Sequence, residues 1–163
     1  MPQVRLYKRT GIRTNSLPPG LLMRRLFFVF VALTALLLCA TERAAANIVV
    51  RIDRTTQRMA VSVDGEPRYN WRVSTARRGY ITPPGSYHPE MMARRWFSKR
   101  YYNSPMPHSI FFYRGYAIHG TYEISRLGGP ASHGCVRLDP GNAAILYDLV
   151  ERQGMNSTTI VVH

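Results

Sequence analysis

The chain has 163 residues, 45% of them hydrophobic, and carries 22 Lys+Arg against nine Asp+Glu, a formal net charge of +13. That length accommodates one compact domain and is short for two. A basic chain suits an anionic partner, but the positive residues are scattered in ones and twos, and without a dense Lys/Arg run nucleic acid is not the expected one.

In chain order, Arg24-Arg25 precedes an uncharged run of 15 residues, "LFFVFVALTALLLCA" (26–40), and Glu42, Arg43 and "AAAN" follow. A positive flank, a short apolar run and small residues at Ala44 and Ala46 predict an export signal cleaved after Ala46. A spanning helix usually needs ~20 apolar residues, so a retained segment that attaches the protein to a membrane is the less favoured alternative. Met23 lies directly before the two arginines and is a second candidate start. Cys39 follows Leu38, where lipid attachment would want a small residue. The expected organisation is therefore a basic extension with its signal or apolar helix over residues 1–46, and one domain over 47–163. Seven Lys/Arg and Glu42 fall in the first part, which leaves 15 basic against eight acidic residues, or +7, on the second.

Within that domain "NIVVRID" (47–53) and "QRMAVSVD" (57–64) are short β-branched runs that predict a hairpin, with Asp64-Gly65 as the next turn. "RYNWRVST" (68–75) predicts a third strand, and the turn-rich "TPPGSYHP" (82–89) a further one beginning at Tyr87. Residues 94–107, "RRWFSKRYYNSPMP", have no clean period and predict an irregular loop or lid, with aromatics that serve mainly to cover a small core. "SIFFY" (109–113) and "YAIH" (116–119) predict a second hairpin around Arg114-Gly115. Asp139-Pro140 is a helix start, with a capping carboxylate and proline in the first turn; Ile145, Leu146, Leu149 and Val150 recur at helical spacing, and Gly154 ends the element. "TTIVV" (158–162) closes with a strand. The fold class is mainly β, with one main α-helix.

Cys135, in "SHGCVRL" (132–138), has no partner once the signal is removed. An odd cysteine in an exported protein is either intermolecular or a free reactive thiol. A cysteine is only a few per cent ionised at neutral pH, so the nucleophile needs a base. His133 lies two residues away and His119 ends a strand sixteen residues upstream. Gly134 lets backbone amides converge on one point. Thiol, base and convergent amides are the parts of an acyl-transfer site; alone, each has a plainer role, the cysteine as a small buried hydrophobe and His119 as a hydrogen-bonded strand end. Zinc on His119, His133, Cys135 and His108 is disfavoured by the single thiolate and irregular spacing, so no metal and no cofactor is expected.

"IHGTYEISRLGGPASHGCVRL" (118–138) resembles the signature of the L,D-transpeptidase catalytic domain: a His-Gly pair, a loop of about a dozen residues, then Ser/Thr-His-Gly-Cys, an apolar residue and Asn or Arg. The likeness extends to "VSTARRGYITPPGSY" (73–87) and "SPMPHSIFF" (104–112), and so covers nearly all of residues 47–162. It implies a β-sandwich-like fold whose cysteine attacks peptidoglycan stem peptides, donor and acceptor, in the periplasm or cell wall. Carried over by position, Cys135 is the nucleophile and His119 the base, oriented by the Gly120 carbonyl. His133 shapes the site and its protonation, and Ser132 and Gly134 are structural members of the motif. The amides of His133, Gly134 and Cys135 are oxyanion-hole candidates. Arg137, and beside it Ser132, are expected to meet the substrate, Arg137 through its bidentate fork; an equally good role for Arg137 is pairing with a carbonyl or carboxylate of the protein. L,D-carboxypeptidase trimming, with water as acceptor, and a non-catalytic wall-binding module are the alternatives.

Overall fold

The computed structural model describes residues 47–163; the predicted signal over residues 1–46 lies outside the described residues. β1 (Ile48–Asp53), β2 (Arg58–Val63) and β3 (Glu66–Arg72) form an antiparallel meander. Asp64 and Gly65 both take positive φ (54° and 82°), the pair of left-handed residues a tight hairpin turn requires. β11 (Thr158–Val162) pairs parallel with β1, and β4 (Gly85–Tyr87) adds on its far side, giving the order β3-β2-β1-β11-β4.

A second sheet has the order β10-β9-β8-β5. β8 (Ser109–Tyr113) and β9 (Tyr116–Gly120) are the predicted hairpin; β5 (Met91–Ala93) and β10 (Val136–Leu138) flank it. One core joins the sheets: Ile48, Val50, Ile52, Met59 and Val61 from the first meet Ile110, Phe112, Ile118, Val136 and Leu138 from the second. This is the sandwich-like, mainly β arrangement. α1 (Pro140–Gln153) adds Ala143, Leu146, Tyr147 and Val150 to the same core. Asp139 caps it by accepting from the Gly141 amide, Pro140 opens its first turn and the Gly154 amide closes it on Val150 O, as the sequence predicts.

Four segments differ from expectation. The strand expected to begin at Tyr87 instead ends there, as β4, because its pairing with β11 runs through Gly85, Ser86 and Tyr87. The third strand ends at Arg72, and residues 73–77 instead form a strap across the sheets, with isolated bridges from Ser74 to Arg137 and from Ala76 to Ser132. β5 lies in a stretch for which no element is predicted. The irregular 94–107 segment contains a hairpin of two-residue strands, β6 (Phe97–Ser98) and β7 (Ser104–Pro105).

Two-residue periodicity positions the site. β10 pairs parallel with β9, Val136 opposite Ile118 and Arg137 opposite His119. Val136, Leu138 and Ile118 point into the core. Alternation then puts Cys135 and Arg137, with Ala117 and His119, on the other face of that sheet.

Candidate active site

That face opens into a cleft of about 1130 Å³ with both Cys135 and His119 in its wall. Cys135 is a free thiol packed with Met106, Phe111 and Ala117 in a small second hydrophobic cluster. Burial pushes the thiol pKa above its ordinary 9.0, opposed by a hydrogen bond from the Ala117 amide and by the positive charge of Arg137. The resting sulfur is therefore a protonated thiol.

His119 is 6% exposed. Its Nδ1 lies 2.7 Å from the Gly120 carbonyl, and since a carbonyl only accepts, Nδ1 carries the hydrogen. This tautomer leaves Nε2 with its lone pair free to take a proton. Burial lowers the imidazole pKa to about 4; the Gly120 bond opposes that shift and Arg137 adds to it. Burial thus shifts both the thiol and the imidazole toward their neutral forms. Gly120 is itself tightly enclosed, because an added Cβ would lie 3.1 Å from Pro107 Cγ and from Pro140 Cα. The Gly120 amide donates to Pro107 O at 2.8 Å, which fixes the carbonyl that orients the ring.

The turn before the cysteine is held from several sides. Ser132, 1% exposed, accepts the Gly134 amide on its Oγ at 2.9 Å. The hydroxyl expected at the substrate thus works inside the turn, and the Gly134 amide is already engaged; of the three oxyanion candidates the His133 and Cys135 amides remain. Gly134 has φ of +131°, and a Cβ there would lie 2.4 Å from Tyr116 Cε1 and 2.8 Å from Ile81 O, so only glycine fits. Thr82 Oγ1 donates to Gly134 O at 2.8 Å and accepts the Ala76 amide at 3.0 Å. The strap completes the frame through Ser74 N to Arg137 O, Arg137 N to Ser74 O and Ser132 N to Thr75 O.

His133 faces a different set of partners. Its ring stacks on Tyr101 at 4.3 Å and meets the edge of Tyr80 at 4.7 Å. Arg77 Nη2 donates to its Nε2 at 2.7 Å, which makes His133 neutral with the hydrogen on Nδ1. Desolvation lowers its pKa, and Arg77 and then Arg137 lower it further. Arg137 donates through Nη1 to Glu123 Oε2 at 2.9 Å, with its side chain 18% exposed. The pairing with a protein carboxylate is thus the observed one for Arg137, and it occupies one arm of the fork.

Several residues in or behind the cleft carry no distinguishing mark in the sequence. Thr82, buried behind the turn, stands there only as one residue of a turn-rich run. Tyr101 was expected to cover a core and instead stacks over the cleft histidine, whereas Trp96 does cover apolar surface, meeting Phe111 edge-on at 5.2 Å. Glu123 sits in a loop without a period, and nothing local marks it. Among the described residues, no three His, Cys, Asp or Glu side chains are grouped to hold a metal, and no helix is long and apolar enough to cross a membrane.

Comparison with known proteins bears on this arrangement. Residues 47–162 match a family model described as the L,D-transpeptidase catalytic domain. No curated protein matches the chain. Among solved structures, an L,D-transpeptidase from Xylanimonas cellulosilytica is similar at 28% identity and a TM-score of 0.61, over 76% of this chain and 63% of that one. One from Stackebrandtia nassauensis gives 26% and 0.62, over 77% and 61%. One from Mycobacterium smegmatis gives 23% and 0.65, over 72% and 59%. The chain thus spans about three fifths of the length of each of these structures.

Proposed function

The chain belongs to the L,D-transpeptidase catalytic-domain family, and from that premise we propose that it is an acyltransferase acting on peptidoglycan stem peptides through Cys135. The observation that carries the reading is the placement of the one free thiol among the described residues and an Nδ1-protonated imidazole on one face of adjoining strands, in the wall of one cleft.

Cys135 Sγ attacks the amide carbonyl that precedes the terminal D-amino acid of a donor stem, and Nε2 of His119 takes the thiol proton as the S–C bond forms. The tetrahedral oxyanion is received by the amides of His133 and Cys135. Collapse breaks the C–N bond, and the imidazolium gives its proton to the departing amine, leaving a thioester on Cys135. An amine from a neighbouring stem then attacks the thioester while His119 accepts its proton. The C–S bond breaks, the thiolate regains that proton, and the stems are cross-linked. No nucleotide is needed outside the cytoplasm, because the energy of the first amide is kept in the thioester. Water as acceptor gives L,D-carboxypeptidase trimming by the same steps.

Product analysis with isolated wall fragments tests this. Release of the terminal D-amino acid and appearance of a cross-linked dimer are expected, both lost in Cys135→Ala; release without a dimer assigns the water reaction. A carbapenem, whose strained amide acylates a competent nucleophile, separates an enzyme from a non-catalytic wall-binding module: the module gains no mass.

A further inference from the structure

The mouth of the cleft is unevenly charged. Six Lys/Arg side chains line it, and Glu123 is the one carboxylate among its walls. Glu123 is already engaged by Arg126 at 3.6 Å and Arg137 at 2.9 Å. The other four, Arg77, Lys99, Arg100 and Arg114, form no ion pair among the described residues, although Arg94, outside the cleft, is held by both Asp148 and Glu151. All three guanidinium groups among them are carried on aromatic faces: Arg77 over Tyr80 at 5.0 Å, Arg100 over Tyr101 at 5.7 Å and Arg114 over Tyr113 at 5.3 Å. An aromatic face holds a cation in place without neutralising it. Lys99 and Arg100 lie between β6 and β7, Arg114 at the tip of the β8–β9 hairpin, and Arg77 at the end of the strap. Three separate loops therefore present unpaired positive charge around one opening.

We propose that this rim selects acidic peptides: Lys99, Arg100 and Arg114 favour substrates whose carboxylates beyond the scissile bond are free, and disfavour the same peptides with those carboxylates amidated. A concave site ringed by one sign of charge concentrates the opposite sign at its floor, and long-range attraction of this kind falls with ionic strength. The inference rests on the reading of Cys135 as an acyl-transfer nucleophile for its peptide form, but the charge preference of the cleft is measurable without it.

The full chain is treated with iodoacetate and with iodoacetamide, and modification is followed on the Cys135-bearing peptide by mass spectrometry, which separates it from Cys39. Each reagent forms an S–C bond and releases iodide, so the ratio of the two rate constants, normalised to glutathione, reports the preference for the anion. The expected ratio exceeds unity at low salt and falls roughly threefold to tenfold in the triple variant Lys99→Gln/Arg100→Gln/Arg114→Gln. Raising the salt should lower it in the unaltered protein, a test that needs no variant to fold. A ratio unmoved by the triple variant, with its melting temperature intact, overturns the proposal, as does a salt-insensitive one. In the peptide arm, kcat/KM for a stem with free carboxylates should fall more than that for its amidated counterpart, and equal losses overturn the preference. If neither peptide is turned over, the acyl-transfer reading fails while the alkylation ratio still decides the rim.

Discussion

His119 is asked to be buried and to be basic, and these demands conflict. Removing the imidazole from water lowers its pKa to about 4, which keeps it unprotonated near neutral pH but makes it a weak standing base. The Cys135 thiol, on the same face of the sheet, is shifted upward by the same cause. Neither group ionises alone, so proton transfer is coupled to attack. Acylation should then be flat from about pH 5 to the thiol's own ionisation and fall only as pH drops through about 4; a stopped-flow acid limb with a midpoint near the ordinary histidine value of 6.5 would instead indicate a solvated imidazole that burial does not perturb. His119→Gln keeps a donor for Gly120 O but lacks the base, and should slow acylation about 10²–10⁴-fold.

The same shift has a thermodynamic sign. The unfolded chain binds a proton at His119 near pH 6.5 and the folded chain only near 4, so this contribution is complete above 6.5 and is lost as pH falls from 6.5 through 4. The loss is on the order of 3 kcal/mol. Denaturant titrations at pH 7 and pH 4 should show that His119→Gln lacks this part of the acid destabilisation. At this scale the sequence pointed to Cys135 and His119, because an odd cysteine and a His-Gly pair are local features. It did not expose that Ser132 Oγ already holds the Gly134 amide, or that Glu123 meets Arg137 across 14 positions; such pairings depend on how the turn closes.

Between single residues and the whole chain stand the elements that hold the catalytic turn. Thr82 joins the Ala76 amide to the Gly134 carbonyl through one buried hydroxyl. Thr82→Val keeps the shape and leaves both partners unpaired, and should cost about 1–3 kcal/mol in denaturant unfolding with a larger proportional drop in acylation rate. Gly134→Ala has no such intermediate outcome: its Cβ meets Tyr116 and the Ile81 carbonyl at a backbone angle side chains avoid, so purified protein should melt earlier and acylate too slowly to follow. Strands with alternating β-branched residues, and the helix with Asp139, Pro140 and Gly154 at its ends, were legible from local chemistry. β10 was not, because three residues inside a motif make no period, and its strand character comes from pairing with β9 and the strap. The β6–β7 hairpin is equally short, and its tip, with Tyr102 and Asn103 at φ of 51° and 52°, bears no glycine to announce the turn.

For the molecule as a whole, one core receives side chains from both sheets and the helix of residues 47–163. A chain beginning at Asn47 should therefore melt in a single cooperative transition, followed by tryptophan fluorescence from Trp71 and Trp96. The parallel pairings that close each sheet, β1 with β11 and β9 with β10, join segments far apart in sequence. Strand propensities supply the parts of such a sheet but not its order, so the order emerged only from the fold. Export is the remaining proposal at this scale, and N-terminal sequencing of secreted material should begin at Asn47.

The central claim is that acyl transfer passes through Cys135. Incubating the protein with a donor tetrapeptide, quenching in acid and mapping the Cys135-bearing peptide by mass tests it directly. The account predicts a tripeptide acyl group on that cysteine, formed in step with release of the terminal D-residue, delayed in His119→Gln and absent in Cys135→Ala. Release of the D-residue by Cys135→Ala at an undiminished rate would contradict it.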